Sequence, residues 1–262
     1  MKIIHVTDTH LLSSEEQLHG LDPRARFKRC VDSIKRFHSD AHCVVMTGDI
    51  ADKGEPGAYQ LFHQEMSRTG LPVHCILGNH DIRKIYLAQS SDALAVLKTA
   101  VPNTDKNGFV QFAVPTPAGV FLFLDTLIDG SHSGGYCLQR QAWLREQLEL
   151  FKDQTVYLFM HHPPFDLNLP CIDAIGLNEK KDFADLVASH NDVRHLFFGH
   201  AHRALSGQWR GVSFSSLRGT NHQVKLDFQR PDIEYSHEDP EYAVVFIEDD
   251  RIVVHTHNYF SD

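Results

Sequence analysis

Five short segments of the chain carry side chains that bind metals or move protons, and each follows an apolar, β-rich run. Asp8-Thr9-His10 follows the run 3–7, Gly48-Asp49 follows 43–47, and Gly78-Asn79-His80-Asp81 follows 73–77. His161-His162-Pro163-Pro164 follows 155–160, and Gly199-His200-Ala201-His202 follows 193–198. An extended backbone projects residues i and i+2 to the same side, so Asp8 with His10, and His200 with His202, are each expected to converge on one site. The glycines at 48, 78 and 199 permit tight turns with the backbone close to the ligands. Asp8, His10, Asp49, Asn79, His161, His200 and His202 offer carboxylate, amide and imidazole, with no thiolate. Such donors suit Mn, Fe, Zn, Co or Ni, not copper(I) or an iron–sulfur cluster. The set exceeds the four ligands of a structural zinc site, so two ions sharing a carboxylate is the economical reading, with Asp49 the natural bridge.

The segments need a frame that brings distant strand ends together. Runs 3–7, 43–47, 73–77, 120–124, 155–160 and 193–198 read as strands apolar on both faces, as in a sheet covered on both sides. Helical patterns lie between them at 24–38, 57–68, 92–99, 139–151 and 179–189; the fourth gathers Trp143, Leu144, Leu148 and Phe151 near one face. From about Ala204 the texture turns to strands alone, at 204–209, 212–217, 222–227, 242–248 and 252–256, with Asp249-Asp250 a plausible hairpin turn. With no repeat and no linker, residues 1–262 read as one α/β domain with a strand-rich C-terminal portion. Ligands in such folds bind just outside the carboxyl ends of the strands.

Composition narrows the class. The 262 residues are 42% apolar, which suffices for a sizeable core and excludes disorder. No apolar run approaches the ~18 residues of a membrane span. Lys and Arg total 25 against 34 Asp and Glu, a net charge of −9, which weighs against nucleic acid as partner. Five cysteines at irregular spacing argue against both a disulfide framework and a thiolate zinc site; Cys43 and Cys75 read as small buried hydrophobes. The opening Met1-Lys2-Ile3-Ile4-His5-Val6 is interrupted too early for a secretory signal, so a cytoplasmic location is expected. Histidine is abundant, at 19 residues.

In order, the five blocks resemble those of the calcineurin-like metallophosphoesterase superfamily: D-x-H, G-D, G-N-H-D/E, an H-x-P-like block and G-H-x-H. The resemblance implies a four-layer sandwich of two packed mixed β-sheets flanked by helices. It also implies two metal ions, Fe, Mn, Zn or Co, with Asp8, His10, Asp49 and His202 on the first and Asp49, Asn79, His161 and His200 on the second. His161 is preferred to His162 because Pro163 follows it after one residue. Leu18-His19-Gly20-Leu21, Asp125, Gly134-Gly135-Tyr136 and Gln141-Ala142-Trp143-Leu144 are similar to the bacterial class III cyclic-nucleotide phosphodiesterases, and glycerophosphodiesterases share these traits.

The chemistry so implied is hydrolysis of a small phosphodiester, 3′,5′-cyclic AMP first, by hydroxide held between two cations roughly 3.5–4 Å apart. The alternatives are glycerophosphodiesterase, phosphomonoesterase, nucleotide pyrophosphatase or nuclease activity and, more remotely, a non-catalytic scaffold. His80 has open roles beside Asn79: proton donor to the leaving alkoxide, holder of a phosphate oxygen, or a structural residue. Asp81 is a candidate to orient His80. His222, after Arg218-Gly219-Thr220-Asn221, is a candidate substrate contact, with ordinary loop chemistry the competing reading. His162 reads as a supporting or core residue, and His5, His38, His42, His63, His74, His190, His195, His237, His255 and His257 as structural or surface residues. The strand-rich tail offers sheet edges for a homodimer.

Overall fold

Strand β1 (Lys2–Val6) shows why these apolar runs lack a polar face. Ile4 and Val6 enter a core beneath helices, while Ile3 enters a second core on the opposite side. In the computed structural model, which describes residues 1–93 and 104–261, β1 pairs in parallel with β2 (Cys43–Thr47), and β2 with β3 (Val73–Ile76). On its other side β1 runs antiparallel to β12 (Tyr242–Ile247), which carries β13 (Ile252–His257) at the edge. The turn between β12 and β13 contains Asp249 and Asp250 and closes with Glu248 N–H donating to the Arg251 carbonyl at 2.9 Å.

The second sheet has six strands. Its order is β4 (Phe112–Thr116), β5 (Gly119–Phe123), β6 (Val156–Phe159), β7 (Val193–Phe197), β9 (Val212–Ser216) and β8 (Leu205–Trp209). Phe112, Phe123, Phe159 and Phe197 occupy matching register positions on β4 to β7. Their rings stack in a ladder with centroids 4.5 to 4.8 Å apart. Each such pair adds ~0.5–1.5 kcal/mol beyond its buried area. The ladder packs toward Ile3, Val45, Ile76 and Val245 of the five-stranded sheet, which makes the inter-sheet core.

Helices cover both outer faces. α1 (Pro23–Phe37) begins where the Asp22 side chain accepts the Arg24 and Ala25 N–H groups at 3.0 Å and Pro23 fills the first turn. Its Phe27, Cys30, Val31 and Ile34 form one buried stripe and join α2 (Pro56–Ser67) over the five-stranded sheet. α4 (Leu138–Leu150) and α6 (Lys180–Val187) cover the other sheet; Leu144 and Leu148 are buried there, with Trp143 and Phe151 partly buried beside them. The result is the four-layer α/β sandwich expected. Among the described residues no helix is long and apolar enough to cross a membrane.

Some expectations need correction. The helix expected at 92–99 falls outside the described residues except for its first two positions, which end α3 (Arg83–Ala93). Strand β4 is missing from the sequence reading because Pro115 interrupts its apolar pattern, which an edge strand tolerates. The strand expected at 222–227 shrinks to β10 (Gln223–Val224), paired with an unanticipated β11 (Tyr235–Ser236). The one-turn α5 (Pro170–Asp173) was also unanticipated. Asp125, just past β5, faces Arg83 with two hydrogen bonds of 2.8 and 2.9 Å and so secures α3 to the second sheet.

Candidate metal centre

The loops after β1, β2, β3, β6 and β7 meet at one end of the sandwich. Their conformation differs from the extended one expected. Asp8, His10, Asp49, His200 and His202 have φ of 53°, 45°, 52°, 67° and 47°. Their side chains converge because the strands have ended and the backbone turns through the left-handed region. That costs non-glycine residues ~1–2 kcal/mol each, and strain of this kind gathers at functional sites. Backbone bonds lash the turns together: Asp8 N–H donates to the Gly48 carbonyl at 3.1 Å and His10 N–H to the Asp49 carbonyl at 2.9 Å. A Cβ at Gly48 would strike the His161 ring, and one at Gly78 the Asp49 carboxylate, so both positions need glycine.

Seven donor side chains are brought together as expected, in two overlapping groups. Asp8, His10, Asp49 and His202 each place one donor atom within 4.8 Å of the others. His10 Nε2 lies 3.1 Å from His202 Nε2, and His202 Nε2 lies 3.4 Å from Asp8 Oδ1. In the second group, Asn79 Oδ1 lies 3.1 Å from His161 Nε2 and 2.9 Å from His200 Nδ1. Asp49 Oδ2 is 3.5 Å from His10 Nε2 and 3.5 Å from His161 Nε2, so a single oxygen faces both groups.

The tautomers test whether a cation fits. His10 Nδ1 faces the Asp52 carboxylate at 3.1 Å, His202 Nδ1 the His222 carbonyl at 2.8 Å and His161 Nδ1 the Thr47 carbonyl at 2.7 Å. Each Nδ1 therefore carries the proton, and each neutral ring turns an Nε2 lone pair inward. Those lone pairs meet one another, the Asn79 oxygen and two carboxylates: acceptors aimed at acceptors. A cation satisfies them. Among the described residues, Asp8 Oδ2 is also buried without a hydrogen-bond partner. Without a cation, protons are drawn in instead. Burial opposes charge on His161, yet the Asp49 carboxylate raises it to about 9, and Asp8 likewise raises His202 against burial. Burial holds His10 down and takes His200 to about 3. Asp8 falls to about 2 beside His202, although burial pulls the other way. The residues present fit two metal ions.

Asp81, Asp52 and His222 depart from expectation. Asp81 does not reach His80; its carboxylate accepts the Gly78, Ile50 and Ala51 N–H groups at 2.9, 3.2 and 3.0 Å and clamps two ligand loops together. Asp52, which the sequence reading passed over, takes the orienting place, its carbonyl 2.9 Å and its carboxylate 3.5 Å from His80 Nδ1. Its one signal was its position three residues past Asp49. His222 is buried: its carbonyl fixes His202 and its ring packs 4.7 Å from that of His10, so it supports a ligand instead of meeting solvent. His162 uses both ring nitrogens, on Thr126 Oγ1 at 2.8 Å and the His132 carbonyl at 3.1 Å, whereas His161 turns its Nε2 toward Asn79 and Asp49.

An α/β sandwich whose strand ends gather two groups of potential metal donors around a shared carboxylate is the frame of a metal-dependent hydrolase. The chain belongs to the calcineurin-like phosphoesterase family, whose model matches residues 1–204. Members of that family use a dinuclear metal centre. It is 38% identical over 266 residues to a protein of Rhodopseudomonas palustris described as a probable cyclic nucleotide phosphodiesterase, with 100% of this chain and 94% of that one covered. It is 29% identical to the glycerophosphodiester phosphodiesterase GpdQ of Enterobacter lignolyticus, over 91% of this chain and 81% of that one. In fold it resembles a dimetal phosphatase of Danio rerio with a TM-score of 0.72 at 18% identity, covering 98% of this chain and 96% of that one.

Proposed function

We propose that the chain hydrolyses a small phosphodiester, with 3′,5′-cyclic AMP its first substrate, using two ions drawn from Fe, Mn, Zn and Co. The observation that carries this reading is Asp49 Oδ2, equally distant at 3.5 Å from an imidazole nitrogen of each donor group. Asp8, His10 and His202 would hold one ion with Asp49, and Asn79, His161 and His200 the other. Bound there, the ions would supply an acidified water as nucleophile and neutralise the phosphate oxygens. His80 donates its Nδ1–H to the Asp52 carbonyl, so it is the imidazolium form, protonated on Nε2 as well, that can hand a proton from Nε2 to the leaving alkoxide. Its backbone N–H donates to Asp49 Oδ1 at 2.8 Å, which ties that acid to the shared carboxylate. Asp52 steadies both His10 and His80 and couples the ligand to the acid.

The likeness to the R. palustris protein along the whole chain supports a cyclic nucleotide. A glycerophosphodiester is the second reading, supported by the likeness to GpdQ. The buried, unpaired Cys30, Cys43, Cys75 and Cys171 support a reducing, cytoplasmic setting. The test is a substrate panel on chelator-dialysed and metal-restored protein. Dialysis should abolish hydrolysis, and Mn²⁺ or Co²⁺ should restore most of the rate on cyclic AMP and bis-p-nitrophenyl phosphate, with p-nitrophenyl phosphate well behind. Full activity in rigorously metal-free protein would overturn the reading.

A further inference from the structure

Beyond the donor groups, a line of aromatic rings leads out of the site to the surface. The His222 ring lies 4.7 Å from that of His10, and the Tyr235 ring 4.7 Å from that of His222. Tyr235 in turn lies against His19, with centroids 3.9 Å apart and planes 33° from parallel. Two ring contacts thus connect the imidazole of His10, in the first donor group, to Tyr235. Tyr235 stays 43% exposed, and His19 is exposed as well, so the pair stands at the surface beside the site.

The two rings come from distant parts of the chain, and each is held in place. Leu18 and Leu21 exchange both backbone hydrogen bonds, at 2.8 and 3.0 Å, across a two-residue turn. Its central residues His19 and Gly20 have φ of 53° and 77°, the backbone of a type I′ turn. Asn, Asp and His are the non-glycine residues found most often with such a backbone, and here His19 occupies the first position. His237 Nε2 bonds the His19 carbonyl at 2.8 Å, joining this turn to the segment that follows β11. Tyr235 sits in β11, opposite Val224 of β10. The β10–β11 hairpin therefore sets one ring and the turn at 18–21 the other.

We infer that the His19–Tyr235 pair is a stacking subsite for the aromatic base of a nucleoside phosphate, selecting such diesters over those without a ring. This rests on the reading that the centre binds a phosphodiester. Stacking suits the geometry because both rings are planar and partly exposed and adjoin the place where phosphate would sit. A base–aromatic stack changes affinity by about 5- to 150-fold.

The experiment is calorimetric titration of the metal-loaded full chain with adenosine 5′-monophosphate and with ribose 5-phosphate, which share phosphate and sugar and differ by the base. The wild type should bind the nucleotide about 5- to 150-fold more tightly than the sugar phosphate. Tyr235→Ala and His19→Ala should each bring that ratio down toward one, and Tyr235→Phe should preserve it. A wild-type ratio near one, or an unchanged ratio in Tyr235→Ala, would overturn the subsite. General damage to the site by Tyr235→Ala weakens both ligands together, leaves the ratio unchanged and counts against it. Absence of diester hydrolysis by the same preparation would instead remove the functional reading, since the binding ratio does not depend on turnover.

Discussion

The two donor groups share Asp49 but are built differently. Around Asp8, His10 and His202 there is a second carboxylate, and both imidazoles have the far nitrogen fixed, by Asp52 at 3.1 Å and by the His222 carbonyl at 2.8 Å. Around Asn79, His161 and His200 the additional oxygen donor is a neutral amide. His161 is fixed by the Thr47 carbonyl at 2.7 Å, whereas His200 Nε2 is buried with no hydrogen-bond partner among the described residues. A charged, oriented group binds a cation more tightly than a neutral, less constrained one. The comparison implies unequal ions: one retained, the other, on the amide side, more readily exchanged.

The largest expected effect comes from removing what the groups share. Asp49→Ala should lower occupancy at both, with a rate loss beyond the roughly 10²–10³-fold typical of one lost electrostatic group. Asn79→Ala should empty the amide side and leave the carboxylate side filled. Metal content by mass spectrometry, read beside kcat, separates them. Two full equivalents of metal in Asp49→Ala would break the comparison at its centre.

That comparison could not have been read from sequence, although the donors themselves could. The five blocks name side chains whose chemistry has few other uses together, and the alternation of apolar runs with helical stripes places them at strand ends. Periodicity reveals such elements because both faces of β1 and β6 are buried. It fails at β4, where Pro115 breaks the pattern, and at β10 and β11, two residues each, whose pairing depends on tertiary contact. It also fails for orientation. Asp81 follows His80 in the chain, but its carboxylate turns to three backbone N–H groups, and Asp52 approaches His80 from another loop. Partners set by left-handed turns leave little trace in residue spacing.

His80 belongs to neither donor group, which makes it a probe of the chemistry apart from the metals. His80→Ala should retain both ions and lose roughly 10²–10⁴-fold on diesters with alkoxide leaving groups, the contribution of a positioned acid. On bis-p-nitrophenyl phosphate the loss should be much smaller, because nitrophenolate departs without a proton. An equal loss on both would make His80 a holder of the phosphoryl group, and a lost ion would make it a ligand.

The smallest expected effect tests whether orientation makes the carboxylate-rich group the tighter one. Asp52 keeps the proton of His10 on Nδ1 and so leaves its Nε2 lone pair free to hold a cation, were one bound. In Asp52→Asn the side-chain oxygen can still accept that proton, so the tautomer survives while the charge is lost. In Asp52→Ala nothing holds the ring. Metal affinity at this group should fall ~10–100-fold in the alanine variant, the usual weight of a residue that orients a ligand, and less in the asparagine one. Competition against a graded chelator would measure it, with the amide-side ion as internal reference because Thr47 contributes its backbone carbonyl and no substitution at Asp52 removes that bond. If both ions weaken alike, Asp52 acts through the general field of the site and not through the ring of His10. If neither weakens, the difference between the groups resides in the carboxylate of Asp8, and Asp8→Asn should then erase it.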